Sequence, residues 1–393
     1  MSRWPISHLL SAADLTTTRV GAFVGARPYV STGDVHGTAV IASESVTFTD
    51  RPSRADVMAK AGDVLFARMQ ATNKVIVVNN ATANHLWSTG FAALRPNVGT
   101  NPDWLGYWLA SSFFNERKDS LCTGATQKAI TNEGIRELEI PLPPLAEQER
   151  MVRILDEADA LRRLRLDADT RSERLIEILY LRTFCQAENR HAWTVGSIND
   201  VAEQRDGSIR TGPFGSQLLH SEFVETGVPV LGIENVVTND FRWTAPRCLP
   251  LAKYRRFERF RVFPGDVLVT IMGTVGRCCV APDDVPVCMS TKHLCVITPD
   301  RTKVHPRFLW AALLFDPAIR QQTALVGSGA IMEGWNSTII RQLTLHVPPL
   351  ALQNEFAKLT AEARELEAVQ FASRRRLDDL FQSLLHRAFQ GGL

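Results

Sequence analysis

Residues 134 to 184 laid on residues 339 to 389 agree at 16 of 51 positions without a gap, so this 393-residue chain uses one ending twice, at an offset of 205. The matches include Ile135/Ile340, Arg136/Arg341, Leu138/Leu343, Pro143/Pro348, Pro144/Pro349, Leu145/Leu350, Gln148/Gln353 and Phe184/Phe389. A weaker echo lies upstream, where AGDVLFARM (61 to 69) resembles PGDVLVTIM (264 to 272) and Ser88-Thr89 resembles Ser290-Thr291. A solenoid repeat spans about 20 to 50 residues, so an offset this long means duplicated domains, with a pseudo-two-fold relation open to them. Each half therefore reads as a variable globular domain followed by a similar helix.

The helix is the clearest local signal. Pro143 and Pro144 exclude helix just before it, whereas residues 146 to 187 hold neither Pro nor Gly and are rich in Ala, Leu, Glu and Arg. That is about 40 residues, or roughly 60 Å of helix. Ile154, Leu161, Ala168 and Leu175 recur every seven, with Met151, Ala158 and Leu179 on a companion position. The second copy puts Leu359, Leu366 and Leu380 beside Phe356, Ala363, Leu377 and Leu384 in the same register. Such spacing predicts a coiled-coil seam, and the polar residues Arg165, Ser172, Gln370 and Ser373 within it would set register and partner at some cost in stability. Helix against helix is the simplest pairing; two surface helices, each lying on its own domain, is the alternative.

With 45% apolar and 22% charged residues the chain has an ordinary globular composition, enough for two or three domains. Nothing at the start resembles a secretory leader, and no run of 18 uncharged apolar residues occurs, which predicts a cytoplasmic protein. Seven cysteines without a C-x-x-C pair argue for reduced thiols. Cys278, Cys279, Cys288 and Cys295 cluster, but Cys279 and Cys295 fall in Val/Ile-rich runs and are expected to be buried as small apolar residues, with no metal bound. Net charge is +1 over 1 to 145, −1 over 146 to 190, +2 over 191 to 347 and 0 over 348 to 393, which sum to the chain's +2. A chain that clamps nucleic acid unaided usually shows a stronger basic footprint, so the count argues against solitary nucleic-acid binding, and a partner could supply the missing charge.

Within each variable domain, Val75 to Val78, Val228 to Leu231 and Leu294 to Ile297 read as strands between turn residues. Helical patterns follow at 102 to 114, carrying Trp104 and Trp108, and at 306 to 315, carrying Trp310; each opens with Pro. The reading is mixed α and β. Catalytic motifs are scarce. No phosphate-binding G-x-x-x-x-G-K-[ST] loop is present, so Asp156-Glu157-Ala158-Asp159 is no helicase motif. Asn101-Pro102-Asp103-Trp104 resembles the Asn-Pro-Pro-aromatic loop of adenine methyltransferases only faintly and reads better as a helix start with an acid in its first turn. Asp103, Glu116 and Lys118 match the residue types of a metal-dependent nuclease, yet Glu116 to Lys118 trail an amphipathic helix rather than a strand pair, so a solvated face is favoured. None of the nine His residues has metal-ligand spacing. No catalytic residue and no cofactor are expected in this chain.

What remains is a set of polar, Gly-punctuated loops suited to nucleic acid, where Ser, Thr and Gly amides meet phosphates while Gln, Asn, Arg and Lys reach base edges. The candidates are Arg68, Gln70, Thr72, Asn73, Lys74, Thr126, Gln127 and Lys128 in the first domain. In the second they are Arg210, Thr211, Ser216, Gln217, Thr274, Arg277, Lys292 and His293. Taken singly, each loop is equally an ordinary solvated hairpin.

PLPPLAEQERM with its long helix, the shorter VPPLALQNEF copy, the two GDVL runs, GATQKAI and GPFGSQL together resemble the specificity subunit of type I restriction-modification systems, over nearly the whole chain. The resemblance implies an α+β fold: two similar target-recognition domains (1 to 145 and 191 to 347) separated by two long helices (146 to 190 and 348 to 393) packed as an antiparallel coiled coil. It implies that each domain reads one half of a bipartite, asymmetric site on double-stranded DNA. It also implies that the helices dock two adenine-N6 methyltransferase subunits and that motor-nuclease subunits join for restriction. S-adenosylmethionine, ATP and Mg²⁺ would then belong to those partners. Two departures stand out. GSGAIMEGWN (327 to 336) occupies the place of GATQKAITNE but lacks Thr-Gln, and GPFGS has no evident counterpart near residues 21 to 33. A self-contained Mg²⁺ nuclease, or a two-domain scaffold that binds no DNA, is the competing reading.

Overall fold

A computed structural model describes residues 4–125, 127–172, 174–214, 217–244, 247–327 and 334–393. They form two compact units, Met1–Asp167 with Ala372–Leu393, and Ala168–Phe371. This division cuts across the four segments expected from sequence, because each long helix gives its two ends to different units.

In the first unit the strands Ala13–Thr16, Phe91–Pro96, Val64–Ala67 and Val75–Val77 lie side by side in that order, all antiparallel. A second sheet has the order Glu44–Thr47, Ala26–Val30, Leu86–Ser88, Ala55–Met58, with its middle pair parallel. The uninterrupted apolar runs follow from burial on both faces of the first sheet. Val64 and Phe66 face a core that holds Trp104 and Leu109 of the helix Pro102–Ala110, while Leu65 and Ala67 face Trp87 and Val30 of the second sheet.

The second unit repeats this arrangement strand for strand. Ile209–Thr211, Leu294–Ile297, Val267–Thr270 and Cys278–Val280 form one sheet; Arg247–Leu249, Val228–Leu231, Cys288–Ser290 and Arg261–Val262 form the other, again with one parallel pair. The alternation recurs, since Val267, Val269, Cys278 and Cys295 join one core and Leu268, Cys279, Leu294 and Val296 the other. The cysteines are thus spent as core residues, and burial pushes the Cys288 and Cys295 thiols up to about 12.

The GDVL runs have a common geometry. Gly62 and Gly265 take φ of 89° and 79°, open to Gly and strained for other residues. The next residue, Asp63 or Asp266, accepts the backbone N–H of Lys60 or Phe263 at 2.8 Å and closes the turn that feeds the central strand. Ion pairs neutralise both acids: Arg95 with Asp63 (2.8 Å) and Arg210 with Asp266 (2.5 Å).

PPLAEQ and PPLALQ encode a joint. The fully buried Gln148 accepts from Asn101 N (2.9 Å) and donates to Gly99 O (2.9 Å) and Pro143 O (2.8 Å). Gln353 does the same with His305 N (2.8 Å), Lys303 O (3.1 Å) and Pro348 O (2.7 Å). Each glutamine ties the start of a long helix to the start of a domain helix, Pro102–Ala110 or Pro306–Phe315. The first of these ends sooner than its sequence pattern suggests, because Ser111 is extended (φ −71°, ψ 154°) and caps a new helix, Ser112–Ser120.

The first long helix comprises Leu145–Ser172, then Leu175–Tyr180 and a wide π-type turn Leu181–Cys185; the second is a single helix, Leu350–Gln390. In the first unit Arg150 bonds Leu393 O (3.0 Å) and Arg162 bonds Asp378 (2.8 Å), so the two segments run in opposite directions. In the second, Tyr180 and Phe184 pack on Phe356, with ring centroids 6.0 and 5.0 Å apart. The inward line is turned one residue from the expected one. Gln148, Leu155, Asp169 and Ile176 are buried at seven-residue spacing, as are Gln353, Thr360, Phe381 and Ala388 on theirs. Leu161, Leu366, Leu380 and Leu359 are instead 55%, 48%, 50% and 38% exposed. Ile154, Ala158, Leu175, Leu179, Leu377 and Leu384 are half-buried at the margin. The reason is that the middle of the inward line is polar. Arg162 sits there over the Phe381 ring, 4.4 Å from its centroid, whereas Met151, Phe356 and Ala363 of the companion position are buried as the spacing predicts.

Candidate nucleic-acid interface

The structure brings the two polar loops of the first unit together. Met69 bridges to Ala129, Gln70 N donates to Lys128 O (2.9 Å), and Ile130 N donates to Arg68 O (2.9 Å). A Thr123–Ala129 bridge closes the hairpin between them. Gly124 is needed there, at φ 131° with an added Cβ 2.6 Å from Gln127 O. Most of the proposed contact residues, however, bond the protein's own backbone. Arg68 donates to Phe91 O and Ile130 O (both 3.3 Å), Gln70 Nε2 to Asp119 O (3.3 Å), and Thr72 Oγ1 to Gln70 O (3.3 Å). Asn73 Nδ2 donates to Ala110 O (2.8 Å) and Lys74 Nζ to Thr32 O (2.6 Å). Each of these spends a donor on shaping the loop, whereas Gln127 and Lys128 are exposed on the hairpin. Thr126 lies outside the described residues.

In the second unit Arg210 is not a surface residue. It is 7% exposed and donates to Asp266, Thr298 Oγ1 (2.9 Å), Gly207 O (3.1 Å) and Arg261 O. The sequence put it in a polar loop, but it belongs to the strand Ile209–Thr211, where a buried carboxylate needed a partner. Thr211 is the last residue of that strand, opposite Cys295. Gln217, Thr274 and Arg277 are exposed, while Ser216 and most of 327 to 336 lie outside the described residues. Thr270 Oγ1 closes the loop that carries Thr274 and Arg277, donating to Thr274 O and accepting from Arg277 N (2.9 Å).

Lys292 and His293 adjoin this loop, where Ile271 N donates to His293 O at 2.9 Å. Burial and then Lys292 pull the His293 imidazole below its usual range, leaving it neutral at pH 7. Three buried polar atoms here, Ser290 Oγ, Thr291 Oγ1 and His293 Nδ1, have no hydrogen-bond partner among the described residues. Sequence reasoning missed the neighbouring ion pair Glu234–Arg247 (2.7 Å), since nothing in the spacing links those residues. It also missed a counterpart of GPFGS. The loop 17 to 25, with Gly21-Ala22-Phe23, joins Ala13–Thr16 to Ala26–Val30 as Gly212-Pro213-Phe214 and its continuation join Ile209–Thr211 to Val228–Leu231. Unequal loop lengths shift the offset there from 205 to 191 and hide the match.

The nuclease arrangement does not form. Lys118 is 1% exposed, with Nζ bonded to Met69 O (3.2 Å) and Thr72 O (2.7 Å), while Glu116 is exposed. Asp103 lies instead near Asp156, and burial followed by that neighbour raises its pKa.

Residues 16–169 match the family described as type I restriction modification DNA specificity domain. That match spans the sheets of the first unit and runs into the long helix. The specificity domain so defined contains both loops of the first unit and the start of the long helix. Among solved structures, a chain from a type I R-M system complex is 21% identical with TM-score 0.67, covering 99% of this chain and 98% of that one. A type I restriction-modification S subunit from M. genitalium is 14% identical with TM-score 0.57, covering 99% and 96%. These likenesses show a common fold along 99% of the chain, the second unit included. No match to a curated protein is found. No helix among the described residues is long and apolar enough to cross a membrane.

Proposed function

We propose that this chain is the non-catalytic specificity subunit of a type I restriction-modification system, reading a bipartite, asymmetric DNA site with one half per unit. One observation carries the reading. The two units share both four-stranded sheets in the same strand order, yet the loops at the same end of those sheets differ in sequence and in how they are held. A fixed frame with two unlike loop sets is what two unlike half-sites require. Residues 1 to 145 and 191 to 347 are the readers. The two helical segments bind two adenine-N6 methyltransferase subunits, and motor-nuclease subunits join for cleavage, with S-adenosylmethionine, ATP and Mg²⁺ in those partners. The chain's net charge of +2 is consistent with partners that complete the DNA clamp.

The test is modular. Residues 191 to 347 are exchanged for the equivalent segment of a relative, and genomic adenine methylation is mapped with and without the exchange. One half of the methylated sequence is expected to change while the other stays. Alteration of both halves would defeat independent reading, and absence of any methylated motif with the unaltered chain and its partners would defeat the specificity reading itself.

A further inference from the structure

We infer that Lys118 and Asp119 position the base-reading loops of the first unit, and that they set the sequence preference of one half-site without touching DNA. The inference rests on the specificity-subunit reading. Lysine is among the residues least often buried, and an ammonium withdrawn from water is tolerated only when hydrogen-bonded or paired. Here it is enclosed at the end of the helix Ser112–Ser120, where Nζ donates to Met69 O and Thr72 O and lies 3.4 Å from Asp119 Oδ1. A methionine would fill the same space without desolvating a charge, so the gain from lysine lies in fixing those two carbonyls.

Between them stands Ala71, whose φ of 55° is unfavourable for any residue with a Cβ. Asp119 Oδ2 holds that conformation by accepting Ala71 N at 3.0 Å, and its carbonyl accepts Gln70 Nε2. Gln70 N in turn grips Lys128 O on the hairpin that exposes Gln127 and Lys128. The contacts thus run unbroken from the end of the helix, through the strained loop, to the exposed hairpin.

Among the described residues of the second unit no such device is present. At the position matching Lys118, Thr323 bonds its own helix through Ile319 O and Arg320 O (both 3.0 Å), and the loop Thr270 to Arg277 is closed from within by Thr270. Loss of Lys118 or Asp119 should therefore act on one half-site alone.

The full chain, expressed with its methyltransferase partners, is compared as wild type, Lys118→Met, Asp119→Ala and Asp119→Asn by mapping genomic adenine methylation. Lys118→Met and Asp119→Ala are expected to make one or two bases of a single half-site degenerate. Discrimination there should fall about tenfold or more, the share of one bidentate base contact. Asp119→Asn keeps an acceptor for Ala71 N and is expected to retain the wild-type preference. Should Lys118→Met fail to fold, the partly exposed Asp119→Ala carries the test. An unchanged motif in both variants, or equal loss over both halves as from general destabilisation, overturns the inference. A wild-type chain that directs no methylation sinks the underlying reading instead, a separate outcome.

Discussion

The two units solve the same problem, a carboxylate at the start of the central strand, with arginines from different strands. Asp63 takes Arg95 from the adjacent strand Phe91–Pro96, and that arginine remains 41% exposed. Asp266 takes Arg210 from one strand further out, and both side chains are nearly sealed, with Thr298 Oγ1 donating to the acid at 2.7 Å. The turn is thus a fixed requirement, whereas its counter-charge is interchangeable among neighbouring positions. The difference should be measurable. Asp266→Ala strands a buried guanidinium and is expected to cost about 3 to 5 kcal/mol. Asp63→Ala loses the turn bonds but leaves an arginine that water can reach, at about 1 to 3 kcal/mol. Denaturant unfolding of the two variants checks this, and equal losses would erase the distinction.

Contrast within the first unit sharpens the account of the helices. Leu155 is fully buried and Leu161 is 55% exposed. Leu155→Ala is expected to cost about 2 to 5 kcal/mol, and Leu161→Ala to stay within about 0.5 kcal/mol. Melting and unfolding curves that ranked them the other way would restore the seam read from the leucines.

A smaller effect separates the two helix starts. Asn101 Oδ1 caps one by accepting Asp103 N (2.9 Å) and Trp104 N (3.1 Å). At the matching place His305 Nδ1 accepts Arg307 N (3.1 Å), a role open only to the neutral ring. Burial, with Arg307 and Arg301, holds its pKa below the ordinary 6.5. The unfolded chain therefore takes up this proton first, so the stabilisation is complete above about pH 6.5 and is lost as pH falls through the lower folded value. Stability measured from pH 7.5 to 5 should decline less in His305→Asn than in wild type. An unchanged decline would assign the acid sensitivity elsewhere.

Much of the fold was legible in the sequence because duplication supplied its own control. The Pro-Pro-Leu runs, the GDVL turns and the apolar strands recur where geometry demands them. The seam phase was not legible, because Arg162 and Asp169 occupy inward positions that pattern reading assigns to water. Arg210 was misplaced for a related reason, since an arginine beside Thr and Gly looks like a loop until the buried Asp266, 56 residues away, is seen beside it. Lys74, Asn73 and Gln70 have the right chemistry for DNA, yet each also spends a donor on the protein's own backbone, which no sequence pattern signals.

The glutamine joint has one more consequence. On the domain side, Gln148 and Gln353 engage only main-chain atoms: an N–H at residue 101 or 305 and carbonyls at residues 99 and 143 or 303 and 348. Such a socket is indifferent to side-chain identity. Loops away from the contacts of Trp104 and Trp108 with Phe389, or of Phe308 with Phe184, can be rewritten while this backbone socket stays as it is. New recognition could then arise without any renegotiation of how the module is mounted.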